Sequence, residues 1–361
     1  MRLFATCLLL AVTIFTGIGG VRAQPLPSIQ WKDDILPGFF QYTIDLGRDY
    51  DGPITATLVR RPKDKTTDRS CAVLYLHGFV DYFFQSHLAD YYATAPAPAS
   101  PGCDFFALDL RKYGRSLPKP PGSYEFPNFA KSLDEYFEEI TFALKVIESD
   151  GYKFILLNGH STGALTAVRY VQSGECGDKV SALFLNSPFL DFSNRDLDGA
   201  GRRFAAKVAG LIRPHGKRSK PSVPIWYARA LLLQSDACPD CHGRWNFKTS
   251  LKPIEGFPVF FGWVRAIINA QDRALKGGIR QPILILRSAR SNDGTDTIWH
   301  EEYRRADLVL DVEDMEDLGS KLGSKVLIRQ IEGGVHDLTL SDPDAQARVF
   351  NEVTAWMRTL R

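Results

Sequence analysis

Ser161 lies in Gly159-His160-Ser161-Thr162-Gly163, the segment of this chain best suited to chemistry. A serine hydroxyl is a weak nucleophile. It needs a base to take its proton and donors to hold the charge that develops on the group it attacks. Here it follows the apolar run Phe154 to Leu157 and precedes a helical pattern that begins near Ala164. A strand-turn-helix of this kind presents the hydroxyl at the tip of a sharp turn, with glycines where backbones pass closely and a helix N-terminus aimed at a developing oxyanion. The five-residue pattern by itself also occurs as an ordinary turn. Its place between a buried strand and a helix sets it apart. Thr162 would supply one N–H to the oxyanion, and Phe79, in the turn His77-Gly78-Phe79 after the run Ala72 to Leu76, a second.

Among the seven histidines, His336 is best placed to act as the base. It sits in Glu332-Gly333-Gly334-Val335-His336-Asp337, between the last apolar run, Val326 to Ile331, and a C-terminal helix. That loop should lie on the same sheet edge as Ser161. Alone, it would read as a surface histidine. The third member, a carboxylate that orients the imidazole, should fall between Ser161 and His336 in the chain. After the run Ile283 to Leu286 the carboxylates include Asp293, Asp296, Glu301, Asp307 and Asp311, and residue types leave the choice open.

The elements that must position these groups are legible as alternation. Phe40 to Leu46 and Ile54 to Arg60 read as two early strands. Ala72 to Leu76, Phe105 to Leu110, Phe154 to Leu157, Ala182 to Leu185, Ile283 to Leu286 and Val326 to Ile331 are unbroken apolar runs, the pattern of parallel strands buried on both faces. Between them, Leu133, Phe137, Ile140, Leu144 and Ile147 share one helical face, and Ala164 to Val171 forms another helix. Asp342 and Pro343 mark the start of a last helix carrying Val349, Val353 and Trp356. Strands alternating with helices predict an α/β protein with a mostly parallel sheet. From 191 to 278 the rhythm breaks into a proline-containing, aromatic-rich stretch, which reads as a cap inserted over the C-terminal edge of the sheet. Its aromatics Trp226, Tyr227, Phe257, Phe260, Phe261 and Trp263 either line an acyl pocket or form the cap's own core.

Composition excludes little. The 361-residue chain is 44% hydrophobic with a formal net charge of +2, and has no long run of like charge. A nucleic-acid binder would show a basic excess on one face, so no nucleic-acid partner is expected. Within the cap, Phe204, Val208, Leu211 and Ile212 share a helical face flanked by Arg202, Arg203, Lys207 and Arg213, with Lys217, Arg218 and Lys220 beyond. Such a basic amphipathic helix suits an anionic lipid surface, or simply one buried and one solvated face. At the N-terminus, Arg2, the apolar stretch Leu3 to Ile18 and Val21-Arg22-Ala23 have the layout of a secretory signal peptide cleaved near Ala23; the apolar run is short for a membrane span of about 20 residues. Export, periplasmic or beyond the cell, would leave five cysteines and permit disulfides. Cys238-Pro239-Asp240-Cys241-His242 matches a haem-attachment string, but a local disulfide is the expected reading, since no haem pocket is evident and four ligands for a metal are not.

Taken together, Tyr75-Leu76-His77-Gly78-Phe79, Asp109-Leu110-Arg111-Lys112-Tyr113-Gly114-Arg115-Ser116 and Gly159-His160-Ser161-Thr162-Gly163 resemble the monoacylglycerol lipase/lysophospholipase-like branch of the α/β-hydrolases, which also includes chains labelled serine aminopeptidases. The resemblance spans nearly all of the mature chain and is weakest in the cap. It implies an α/β-hydrolase fold: a mostly parallel sheet flanked by helices, with a signal peptide over 1–23, core segments over 24–190 and 279–361, and a cap over 191–278. The family's acid normally follows the strand here read as Ile283 to Leu286. Arg287-Ser288-Ala289-Arg290-Ser291 lacks it, and the pattern reappears at Ala306-Asp307-Leu308, as if Ser291 to Arg305 were inserted. Asp307, 29 residues before His336, is therefore preferred, with Asp293 next and Asp296 and Asp311 behind. The resemblance implies hydrolysis of lipid-like or small acyl esters by Ser161, His336 and Asp307, with oxyanion donors at Phe79 and Thr162 and neither metal nor organic cofactor. An aminopeptidase would need an acidic cap, and a non-catalytic binding protein would not need the three residues. In such a fold the strands before His77 and Asp109 are neighbours, which implies a Cys71–Cys103 disulfide and leaves Cys176 unpaired.

Overall fold

The computed structural model describes residues 27–61, 70–97, 100–118, 126–192, 199–218 and 224–360. The expected signal peptide and Lys220 lie outside them.

Nine strands form one sheet among the described residues. They are β1 (Lys32–Asp33), β2 (Phe40–Asp49), β3 (Gly52–Arg60), β4 (Cys71–Leu76), β5 (Asp104–Asp109), β6 (Phe154–His160), β7 (Ala182–Asn186), β8 (Ile283–Ser288) and β9 (Val326–Ile331). Their order is β1-β2-β3-β5-β4-β6-β7-β8-β9. The first three strands pair antiparallel, β3 pairs antiparallel with β5, and all later pairs are parallel.

The unbroken apolar runs follow from burial on two faces. Along β4, Leu74 and Leu76 join one core cluster while Val73 and Tyr75 join the other, and along β8 Ile283 and Ile285 oppose Leu284 and Leu286. Helices α2 (Phe137–Ser149) and α3 (Thr162–Ser173) cover the first face; α1 (Ser86–Thr94) and α8 (Pro343–Met357) cover the second. The last strand departs from the expectation. β9 is an edge strand, and only Ile331 in it is fully buried. Asp342 does stand at the N-cap of α8, but its side chain leaves the cap unmade and accepts from Arg304 Nη2 at 2.5 Å.

The chain between β7 and β8 carries α4 (Ala200–Ile212), α5 (Ile225–Leu231) and α6 (Phe261–Ala274). Helix α6 lies inside the stretch expected to be cap, yet Val264, Ile267 and Ile268 pack with α3 in the main core. Cys71 and Cys103 are disulfide-bonded, as are Cys238 and Cys241; Cys176 is buried and free.

Candidate active site

The loops that follow β4, β6, β8 and β9 meet at one edge of the sheet. Ser161 is the N-cap of α3, with φ 54° and ψ −117°. A positive φ costs a non-glycine residue about 1–3 kcal/mol and persists only where the surroundings enforce it. Here they do. The Ser161 N–H donates to Asn186 O at 2.9 Å, and its carbonyl accepts from Ala164 N at 3.1 Å and Phe189 N at 3.2 Å. The turn also needs backbones to touch: a Cβ on Gly163 would come within 2.3 Å of His77 O and 2.4 Å of Leu76 O.

His336 lies on the loop after β9, with Nδ1 2.8 Å from Asp307 Oδ2. Both side chains are almost fully buried. The other oxygen of Asp307, Oδ1, accepts from Val309 N and Leu310 N at 2.8 Å each, which fixes the carboxylate. With Nδ1 directed at a carboxylate, Nε2 is the nitrogen left to accept a proton. The imidazole packs beside His160, the neighbour of Ser161, at a centroid distance of 4.8 Å. Burial pushes the His160 pKa down to about 4, so its ring is neutral near pH 7.

Asp307 reaches His336 because the inserted segment closes on itself. Asn292 N donates to Asp307 O at 2.8 Å and Asp307 N to Arg290 O at 3.0 Å. The intervening chain loops out, with one 3-10 turn over Glu301–Arg305. The alternative carboxylates are engaged elsewhere. Asp293 accepts from Thr295 N, Asp296 from His300 Nε2, Glu301 from Trp299 Nε1, and Asp311 caps α7 (Val312–Gly319).

Phe79 and Thr162 flank the serine. Thr162 is the first residue of α3, so its N–H has no carbonyl one turn back. Among the described residues neither N–H has an acceptor. The Phe79 turn is held through His77. Its Nε2 accepts from Leu110 N at 3.1 Å, which leaves Nδ1 to donate to Gly78 O at 2.8 Å. Val80 then takes φ 50°, a strained value for a β-branched residue.

Several groups here gave no sequence signal beyond adjacency. Asp337 accepts from Asn186 Nδ2, Gln85 Nε2, Thr339 N and Thr339 Oγ1, and so anchors the His336 loop. Burial alone would raise its carboxyl; His160 and these hydrogen bonds hold it below the usual range. Asp81, His160 and Asp337 bring ligand-type atoms within 4.8 Å of one another. Within it Asp81 Oδ1 takes Lys252 Nζ at 2.8 Å while its Oδ2 is buried without a hydrogen-bond partner, and both oxygens of Asp337 accept hydrogen bonds. The motif from Asp109 to Ser116 is architectural. Asp109 holds Phe83 N and Arg115, Arg111 pairs with buried Glu139, and Lys112 with Asp49 and Asp51.

The cap aromatics fall in two settings, some beside the site residues and some packed away from them. Tyr227 lies edge-on to His336 at 5.7 Å, Trp263 packs on Phe79 at 4.1 Å, and Phe257 clusters with Val80 and Leu117. Trp226 packs away from the site with Trp299 and Tyr303, and Phe260 with Phe126 and Phe129.

A family model described as the alpha/beta hydrolase family matches residues 73–349. No curated protein matches the sequence. Among solved structures the chain is similar to a soluble variant of monoglyceride lipase from Saccharomyces cerevisiae in complex with a substrate analog, at 14% identity and TM-score 0.61, covering 93% of this chain and 96% of that one. It is also similar to a monoacylglycerol lipase from Paleococcus ferrophilus, at 17% identity and TM-score 0.53, covering 90% and 99%. At such identities the likeness is one of fold.

Proposed function

From the premise that this chain belongs to the alpha/beta hydrolase family, we propose that it is a serine hydrolase of carboxylic esters, with Ser161 as nucleophile, His336 as base and Asp307 as its orienting acid. The observation that carries the proposal is the buried Asp307–His336 pair, packed on His160, next in sequence to a serine held at a strained helix N-cap. His336 Nε2 takes the Ser161 proton as Oγ attacks the acyl carbonyl. Phe79 N–H and Thr162 N–H hold the oxyanion. The imidazolium, stabilised by Asp307, returns the proton to the leaving alcohol as the ester C–O bond breaks. Water, deprotonated by His336, then cleaves the acyl-enzyme, releasing the acid and Ser161.

The test is hydrolysis of p-nitrophenyl esters across acyl lengths by wild type, Ser161→Ala and Asp307→Asn, with fluorophosphonate labelling of Ser161. A wild type inert towards every ester and unlabelled by the probe sinks the proposal and moves the peptidase and binding-protein readings forward.

A lipid-like substrate is supported by the outer face of α4. Of the two readings of its apolar stripe, an outward face for lipid or a buried face, most of the stripe fits the first, with Val208 half-buried. Phe204, Leu211 and Ile212 are 69%, 66% and 77% exposed. The reason is a close helix pair: a Cβ on Gly210 would come within 2.5 Å of Phe261 O, so the small-residue face turns inward onto α6. Arg203 and Lys207 are also turned inward, paired with Asp191 and Asp272. The outward stripe, with exposed Arg202 and Arg213 beside it, suits the surface of an anionic bilayer. Changing Phe204, Leu211 and Ile212 together to serine should abolish sedimentation with phosphatidylglycerol vesicles while soluble-ester turnover persists; unchanged sedimentation rejects the contact. Export is the remaining part of the proposal, supported by two disulfides in the described residues. A mature N-terminus at Gln24 in an exported fraction would establish it, and an intact N-terminus in the cytoplasm would refute it.

A further inference from the structure

Residues 77–85 run from β4 to α1 and include the Phe79 turn. Their two ends are tied to the core. His77 bridges Leu110 N and Gly78 O, while Phe83 N donates to Asp109 Oδ1 at 2.9 Å and Gln85 Nε2 to Asp337 Oδ2 at 3.0 Å. The middle is tied differently. Asp81 Oδ1 accepts from Lys252 Nζ at 2.8 Å, and Tyr82 Oη accepts from Lys248 N at 2.8 Å. Both donors belong to one short turn of the segment between β7 and β8, closed by Lys252 N to Lys248 O at 3.0 Å.

The Lys252–Asp81 pair is unusual in its setting. Its side chains are 3% and 1% exposed. The ammonium sits among the rings of Tyr227, Phe84 and Phe247, 5.5–5.7 Å from each centroid. Asp81 Oδ2 is buried with no partner. Burying two charges is costly, and replacing such a pair by apolar groups is often neutral or stabilising. Stability therefore gives a weak reason for it, whereas position gives a strong one. Asp81 stands two residues beyond Phe79, across the strained Val80. A hydrogen-bonded ion pair at that point opposes relaxation of the Val80 backbone, and a shift there would swing the Phe79 N–H.

We propose that Lys252 is a positioning residue: from the inserted segment it clamps Asp81 and so holds the Phe79 N–H in the direction needed by the oxyanion. The inference rests on the ester-hydrolase reading. It makes catalysis depend on the docking of residues 248–252 against the loop, so that the segment over the site completes the site as well as covering it.

The experiment compares wild type, Lys252→Met and the double variant Asp81→Asn/Lys252→Met. Each is followed by kcat and KM on a p-nitrophenyl ester, affinity for an alkyl boronic acid that mimics the tetrahedral oxyanion, and thermal unfolding. Lys252→Met strands a buried carboxylate and could fail to fold; the double variant removes both charges and avoids this. The expected result is a double variant that folds, with kcat about 10- to 100-fold lower, KM within about threefold, and boronate affinity reduced in parallel with kcat, the scale of a misaligned oxyanion donor. A double variant that recovers wild-type kcat and boronate affinity overturns the proposal and makes Lys252 a charge partner only. A wild type without esterase activity or fluorophosphonate labelling fails at the hydrolase reading instead.

Discussion

At the residue scale, the proposed mechanism divides labour between groups that would react and groups that hold them. Asp307 is the clearest case. Its Oδ1 is fixed by two backbone N–H groups and its Oδ2 faces His336 Nδ1. Asp307→Asn keeps the shape but offers the imidazole an amide, so the wrong tautomer is favoured. On the proposed mechanism kcat on a soluble ester should drop by about three to four orders of magnitude, with the unfolding midpoint little changed. Full activity in that variant would send the search for the acid to Asp293. Gly163 makes a steric prediction. Ala at this position meets two backbone carbonyls rather than a flexible side chain. The turn must open, costing about 1–3 kcal/mol and moving Thr162 N–H off its line. Gly163→Ala should lower both stability and labelling rate, and a variant matching wild type in both would refute the close-approach argument.

At the element scale, the sheet brings together residues that are far apart in the chain. Cys71 opens β4 and Cys103 directly precedes β5, the strand beside it. Their bond closes a loop with a sequence separation of 32. Cys71→Ala/Cys103→Ala should lower unfolding free energy by about 2–5 kcal/mol in urea titrations, and an unchanged midpoint would show that the neighbouring packing alone fixes these strand starts. Much at this scale was legible beforehand. Unbroken apolar runs marked six of the nine strands of the sheet, five of them, β4 to β8, because burial on both faces leaves little room for polar side chains, and the two early strands β2 and β3 were also legible. The two-residue β1 carried no such signal, and the half-exposed β9 read as buried because Val326, Leu327 and Ile328 are apolar whichever side they face. Helix α4 was legible as a helix with an apolar stripe. Which way the stripe faced depended on Gly210 meeting α6, a contact with no local signature.

At the scale of the whole molecule, several buried charges are balanced by ion pairs, and Asp314, among the described residues, is not. Burial, reinforced by Asp191, Asp311 and Asp317, pushes the Asp314 carboxyl up to about 7. Its Oδ2 has no partner. A carboxyl whose folded pKa lies above its unfolded value binds a proton on folding between the two. Its contribution to stability is therefore most favourable below pH about 4 and falls as pH rises towards about 7. Asp314→Asn removes that fall. The variant's gain in urea midpoint over wild type should be larger at pH 8 than at pH 5. Equal gains at both would place the titration of Asp314 outside this range.

By itself the sequence determined what neighbours along the chain can specify: the alternation of buried strands and helices, the strained serine turn with its glycines, and a histidine loop after the last strand. These follow from periodicity and local sterics, which act over a few residues. The tertiary structure decided what depends on closure over long separations. It set Asp307 rather than Asp293, Asp296 or Asp311 against His336 by folding out the inserted segment. It also brought Lys252 to Asp81 across 171 residues. No pattern of residue types encodes such a pair, because the desolvation that gives it consequence exists only once both side chains have been buried together.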